Sequence, residues 1–311
     1  MPAKHILITG GAGFIGSHLA LGCLKKGYRV TIVDNLATGF SKNLPQGADL
    51  LELDISDEKI YAKLPKDCDT VFHLAAQSSG EISNEKPYLD LKTNTLGTVL
   101  LLQWARQFKN MRFLYSSSMA VYGNPKKLPV AESDPKDPLS FYSVSKLASE
   151  YYIMHFYQFG IIPTIFRLFS IYGPGQDLSN MKQGIVSIYL SYLLNNEELL
   201  IKGSGERFRD LVYIDDVVNI WLEAIDEKKT FGKIYNLCTG RKTLVKTLVE
   251  TEIKAMGLDL KTYPVRYEGH TPRDQFGVYG DNTALLKDVS HRTFIEVDEG
   301  IKRMVKWAKA L

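Results

Sequence analysis

HILITGGAGFIGSHLAL, residues 5–21, is the stretch from which the rest of the chain can be read. Ile6, Leu7, Ile8 and Thr9 have strand character and run into Gly10-Gly11-Ala12-Gly13-Phe14-Ile15-Gly16. Apolar residues at helical spacing follow, Ile15, Leu19 and Cys23, so the stretch reads as strand, tight glycine turn and helix. A turn without Cβ atoms lets the backbone approach a pyrophosphate closely. The helix that opens there aims free N–H groups and a positive dipole end at an anion. The glycines fit Gly11-x-Gly13-x-x-Gly16 and equally Gly10-x-x-Gly13-x-x-Gly16.

Moving outward, Arg29 to Asp34 forms a second strand that ends in an acid 18 positions beyond Gly16. A carboxylate at that spacing accepts from the adenosine ribose hydroxyls and repels a 2′-phosphate, so the cofactor reading is NAD and not NADP. Further strands are expected at Leu50–Leu53, Thr70–Leu74, Phe113–Tyr115 and Pro163–Phe169, with helices at 87–107 and from about Ser140 to Phe159. This alternation predicts an α/β fold, a Rossmann-type doubly wound parallel sheet with a smaller C-terminal substrate-binding lobe. Asp34, Asp54, Ala75 and Ser118 all fall at strand carboxyl ends, where such sheets bind ligands. His73 lies inside an apolar strand and reads as a core histidine. Gly173-Pro174-Gly175 breaks the rhythm, and a helix is expected over 180–195. Strands at Leu211–Ile214 and Ile234–Leu237 are expected to return to the first lobe. The expected lobes are therefore 1–170 plus 211–238, and 171–210 plus 239–311.

The composition narrows the function classes. A net charge of +3 over 311 residues, without a long run of like charges, points away from nucleic acid and from anionic membranes. No apolar run approaches membrane-spanning length, so a cytoplasmic protein is expected. Cys23, Cys68 and Cys238 form no C-x-x-C pair and read as buried free thiols, with no metal site.

Tyr142 and Lys146 are four apart on an expected helix and emerge on one face. A phenol titrates near ~10, but a nearby ammonium and an oxidised nicotinamide favour its ionised form. Ser118, at a strand end, can share the hydrogen bond to a substrate hydroxyl.

Taken together, these residues resemble the extended short-chain dehydrogenases/reductases, and within them the nucleotide-sugar epimerases. The resemblance spans the chain. It includes TGGAGFIG at 9–16, Asp34-Asn35-Leu36, Asp54-Ile55, HLAAQ at 73–77, Asn94 in NTLGT, SSSMAVYG at 116–123, Tyr142-x-x-x-Lys146, YGPGQ at 172–176 and RDLVYIDDVV at 209–218. It implies that Ser118, Tyr142 and Lys146 are catalytic and that NAD is tightly held and regenerated in each turnover. The cofactor would be held by Gly10, Gly13, Phe14, Ile15, Gly16, Asp34, Asn35, Asp54, Ile55, Leu74, Ala75, Ala76, Asn94, Ser116, Tyr142 and Lys146. The nucleoside-diphosphate sugar would meet Ser79, Ser118, Ser170, Arg209, Arg273 and Val278. Ser170 stands where relatives carry Asn. Arg273 lies two places from the family's arginine and either reaches the phosphates or sits at the surface. Val278 stands where relatives tune the space for N-acetyl groups, and its size suggests an open pocket.

Dehydratases of this family carry Thr-Asp-Glu where this chain has Ser118-Met119-Ala120, and decarboxylating relatives also need a glutamate at position 120. Met119 and Ala120 cannot move protons, which favours epimerisation. Carbon 4 is the family's commonest site, and a 2-epimerase would show the same triad. A homodimer through the helices at 87–107 and 140–159 is also implied, with Tyr151-Tyr152 and Phe159 supplying a second apolar face.

Overall fold

The computed structural model describes residues 3–269 and 275–311. From the N-terminus, β1 (His5–Thr9), α1 (Phe14–Lys25), β2 (Arg29–Asp34), β3 (Asp49–Glu52) and β4 (Thr70–His73) follow in order. Then come α2 (Gly80–Glu85), α3 (Pro87–Asp90), α4 (Gly97–Ala105), β5 (Met111–Ser118), α5 (Phe141–Phe156) and β6 (Ile161–Leu168). The later chain contributes β7 (Ser170–Tyr172), α6 (Ile185–Leu194), β8 (Leu199–Lys202), β9 (Phe208–Arg209) and β10 (Leu211–Tyr213). After α7 (Ile214–Ala224) and β11 (Lys233–Leu237) come β12 (Thr243–Leu244), α8 (Val245–Met256), β13 (Val265–Glu268), α9 (Thr283–Asp288) and α10 (Val297–Ala308).

Seven strands form one parallel sheet in the order β11-β6-β5-β4-β1-β2-β3. Because side chains alternate across a strand, Ile6 and Ile8 enter one core cluster with Val30, Ile32, Phe72 and Leu114. Leu7 enters the opposite cluster with Val33, Val71 and Phe113. Both faces are covered, which is why these strands read as continuous apolar runs. The strand order reverses between β1 and β4, and the crevice at that switch point is where this architecture admits a ligand. Among the described residues, no helix is long and apolar enough to cross a membrane.

Three expectations need correction. Leu211–Tyr213 does not join the main sheet; it pairs with β7 in a separate parallel pair, and the chain turns helical at Ile214. The helix expected from residue 180 begins only at Ile185, after left-handed Gly184. The helix expected over 87–107 contains a π-helical turn at Leu91–Leu96, whose extra residue per turn lets Asn94 point inward.

A third core cluster gathers α6, α8 and α10 around Leu190, Leu248, Val249 and Met304. Glu252 of α8 is fully buried beside it, and neither carboxyl oxygen has a partner among the described residues. Burial pushes this carboxyl well above its ordinary 4.5, so the folded chain keeps a proton that the unfolded chain loses. Its stability contribution is intact below pH 4.5 and is lost as pH rises toward the folded value. Glu252→Gln should match the parent in urea unfolding near pH 4 and exceed it by about 1.4 kcal/mol for each further pH unit in that window. Parallel stability profiles would refute this.

Candidate active site

The glycine turn is built by close approach. Gly10 has φ +73°, and a Cβ there would stand 2.6 Å from the Ala75 nitrogen at the end of β4. A Cβ on Gly16 would stand 2.2 Å from the Gly10 oxygen. Gly13 caps α1 without a side chain, so the first amides of the helix, at Phe14 and Ile15, have no side-chain acceptor among the described residues. Asp34, buried at the end of β2, accepts from the Ala12 amide at 3.0 Å and the Leu36 amide at 2.9 Å. It therefore grips the turn with one lone pair on each oxygen and keeps others for a diol. Asn35 donates to Asp54 at 3.2 Å on the same rim. Partial burial pushes the Asp54 carboxyl up, but hydrogen bonds from Ser56 and Asn35 hold it below its ordinary value. Ile55 is buried against Gly97. A cradle without Cβ atoms, an uncapped helix start and a carboxylate at the next strand end together fit a dinucleotide such as NAD.

The end of β4 is fixed by a hydrogen-bond chain through His73. The Thr9 hydroxyl accepts from the Leu74 and Ala75 amides, each at 3.2 Å, and meets His73 Nδ1 at 2.7 Å. The Thr98 hydroxyl donates to the Asn94 carbonyl at 2.5 Å and lies 2.8 Å from His73 Nε2. Each threonine has one proton to give, so Nδ1 accepts from Thr9 and Nε2 donates to Thr98. Burial, helped by Lys146, drives the imidazole down to about 3, and it stays neutral. Ala76 is part-exposed beside this end. Asn94 holds both backbone groups of Gln77, at 2.8 and 2.9 Å, and reaches Ser145 at 3.0 Å.

Tyr142 and Lys146 sit at the start of α5, which opens with a capping box between Ser140 and Ser143. Lys146 is buried, donates to the Ser116 carbonyl at 2.8 Å and lies 4.8 Å from the centre of the Tyr115 ring. Its Nζ is 6.0 Å from the centre of the Tyr142 ring. Burial drives the ammonium down to about 8, against the pull of Asp90 and Glu150. The Tyr142 phenol is pushed up to about 12 by burial, while Ser118 favours its ionised form and Asp90 opposes it. Ser118 closes β5, and its hydroxyl also caps the turn of Met119–Tyr122 by accepting from Ala120 at 3.2 Å. Ser116 donates to the His73 carbonyl at 3.3 Å.

Behind this pair lies a buried ion pair that the sequence analysis does not identify. Glu150 Oε2 meets Arg167 at 2.7 Å, while Oε1 accepts from Ser117 at 2.5 Å and from Arg167 Nε at 3.0 Å. Arg167 also reaches the Tyr122 hydroxyl at 2.8 Å, which in turn meets Asn236 at 2.6 Å. One signal was available: Glu150 continues the i, i+4, i+8 stripe of Tyr142 and Lys146.

The substrate-side residues are more dispersed. Ser79 caps α2, accepting from Ile82 at 3.3 Å, and Ser170 opens β7 with its amide on the Asp210 carbonyl at 3.0 Å. Arg209 is buried and donates to the carbonyls of Phe208, Gln275 and Phe276 at 2.8, 3.2 and 3.3 Å. Arg273 lies outside the described residues. Val278 corrects an expectation: it has no exposed surface and joins the cluster of Val121, Tyr122 and Val130. Bridges from Gly277 to Phe208 and from Gly280 to Val130 hold this segment so that its valine faces core and not an open pocket.

The model of the NAD dependent epimerase/dehydratase family matches residues 6–238. A putative UDP-glucose 4-epimerase of Methanocaldococcus jannaschii is 35% identical over 313 residues, with 98% of each chain covered. Among solved structures, UDP-glucose 4-epimerase of Thermotoga maritima, in complex with UDP-glucose, superposes with a TM-score of 0.94 at 34% identity over 99% of both chains. The Thermus thermophilus UDP-glucose 4-epimerase complex with NAD gives 0.91 at 29% identity, covering 98% of this chain and 99% of that one.

Proposed function

The chain belongs to the NAD dependent epimerase/dehydratase family, and from that premise we propose that it epimerises a nucleoside-diphosphate sugar at C4, acting on UDP-glucose and UDP-galactose or their N-acetyl analogues. The observation that carries this reading is Tyr142 beside Lys146 and Ser118, with Met119 and Ala120 next in the chain. That set can move a hydroxyl proton, but its two neighbours cannot assist loss of water or of a carboxyl group.

In this reading the glycine turn with Phe14 and Ile15, together with Asp34, Asn35, Asp54, Ile55, Leu74–Ala76, Asn94 and Ser116, holds the cofactor. When bound there, NAD would supply the hydride acceptor, and then the hydride donor, for the sugar carbon. Tyr142 takes the proton of the 4-hydroxyl as the carbonyl forms, and Ser118 orients that hydroxyl. Lys146 holds the phenolate by its charge and would also hold the nicotinamide ribose. Inversion requires the oxidised sugar to present its other face before proton and hydride return. The nucleotide must therefore be held firmly and the sugar loosely, with Arg209 toward the diphosphate and Ser79 and Ser170 along the cleft. Residues 1–170 with 211–238 form the cofactor lobe, and 171–210 with 239–311 the substrate lobe. A cytoplasmic location belongs to the same reading.

The test is incubation of the NAD-loaded protein with UDP-glucose and with UDP-N-acetylglucosamine, without added cofactor, followed by NMR of the products. Mixtures with the C4 epimers are expected. Net cofactor reduction, inversion at C2, or loss of water or carbon dioxide would overturn the reading.

A homodimer is part of it, supported by apolar side chains left exposed on α3, the π turn and α5, led by Tyr88 at 76% and Tyr151 at 67%. Light scattering should give twice the chain mass for the parent and the single-chain mass for Tyr151→Glu. A monomeric parent would remove the dimer from the proposal.

A further inference from the structure

Asp90 ends α3 and is 1% exposed, yet it is an acid in a segment that reads as helix surface. Carboxylates so deep are ordinarily paired with a cation. Its Oδ1 accepts from Gln77 Nε2 and from Asn94 Nδ2, each at 3.0 Å. Both are neutral amides, which satisfy an oxygen without balancing its charge. Its Oδ2 is buried and has no donor among the described residues.

The cation whose field reaches this carboxylate is Lys146. Burial holds the Asp90 carboxyl above its ordinary value, an effect that the Gln77 hydrogen bond, the nearby Ser145 hydroxyl and the Lys146 ammonium offset only in part. The effect is mutual, since Asp90 favours the charged form of Lys146. Ser145 directly precedes Lys146 on α5, and Asn94 bridges it to Asp90. The other titratable groups around the ammonium are accounted for. Glu150, one helical turn on, is engaged by Arg167 and Ser117. His73 is neutral, and Tyr115 presents its ring face. Tyr142 is the proton carrier itself. Asp90 remains as the carboxylate without a cation of its own among the described residues.

We propose that Asp90 is a positioning residue of the catalytic pair, its carboxylate supplying the counter-charge that keeps Lys146 an ammonium in the closed site while Tyr142 gives and recovers its proton. Asp90 acts by its field on both members of the pair and does not touch the reacting atoms. The inference rests on the assignment of Tyr142 and Lys146 made above.

A fixed negative charge raises the proton affinity of every group near it. Tyr142 and Lys146 titrate as a coupled pair, so removing that charge slides both ionisations to lower pH together. A role confined to packing would lower the height of a pH–rate profile and leave its limbs in place.

The test compares Asp90→Asn, Asp90→Ser and Asp90→Glu as NAD-loaded proteins. Each is read against its own Tyr142→Phe double variant by near-ultraviolet tyrosinate absorbance, which needs no substrate. Both neutral variants should ionise Tyr142 about one pH unit lower than the parent, and Asp90→Glu should stay in place. With substrate, both limbs of the kcat profile should move by the same amount, giving about a tenfold loss on the alkaline side. A tyrosinate transition unmoved in both neutral variants, or moved as far in Asp90→Glu, overturns the proposal. Because the spectroscopic arm is independent of turnover, absence of epimerisation alongside a shifted transition would count against the functional reading and not against this one.

Discussion

Tyr142→Phe is expected to lower kcat by about 10³-fold, the range of a positioned general base, while leaving substrate KM within a few-fold and the bound NAD in place. The ring keeps its packing and only the oxygen is lost. Burial, with Asp90 adding to it and Ser118 opposing it, pushes the phenol up to about 12, which makes it a poor base unless positive charge is close. Lys146 supplies such charge, and its own ammonium is driven down to about 8. Activity should therefore fall as pH rises past about 8, when the charge beside the phenol is lost. Progress curves for the parent and Tyr142→Phe across the pH range check both points. A variant within tenfold of the parent would show that another group carries the proton.

Arg167→Met is expected to cost about 3–5 kcal/mol, because it strands the Glu150 carboxylate in a dry interior. That is a large part of the ~5–15 kcal/mol that holds a typical domain folded. The double variant Glu150→Gln/Arg167→Met should recover much of the loss, since no charge then remains buried. Urea unfolding of the three proteins at neutral pH measures this, and additive losses would refute it. Activity should fall with stability, because Ser117, held by Glu150, precedes Ser118 at the end of β5.

The contrast between these two residues shows what the sequence makes legible. The glycine turn, Asp34 and the Tyr142–Lys146 spacing are local patterns, readable because their chemistry depends on neighbours a few residues away. The parallel sheet followed from strand–helix alternation, which reflects burial on both faces. Glu150 and Asp90 look in sequence like ordinary helix-surface acids, because what buries them lies elsewhere: Arg167 on β6 for one, Gln77 and Asn94 for the other. Val278 misled for a related reason. Its position relative to a motif was readable, but the bridges at Gly277 and Gly280 that turn it into the core join distant segments. Glu252 stands on the stripe of Val245, Leu248, Val249 and Ile253 on α8, so its face is readable from the spacing while its charge argues against burial.

The placement of β11 beside β6 bears on how the protein must be made. Thr164 pairs with Lys233 and Leu168 with Leu237, so the sheet is completed only after the 64 residues between β6 and β11 have been synthesised. A nascent chain that has emerged only as far as β6 carries an open, parallel strand edge, ready to pair with the wrong neighbour. Such distant pairing is slow to find and exposes the chain to aggregation in the interval. Truncation between β6 and β11 should therefore yield insoluble material.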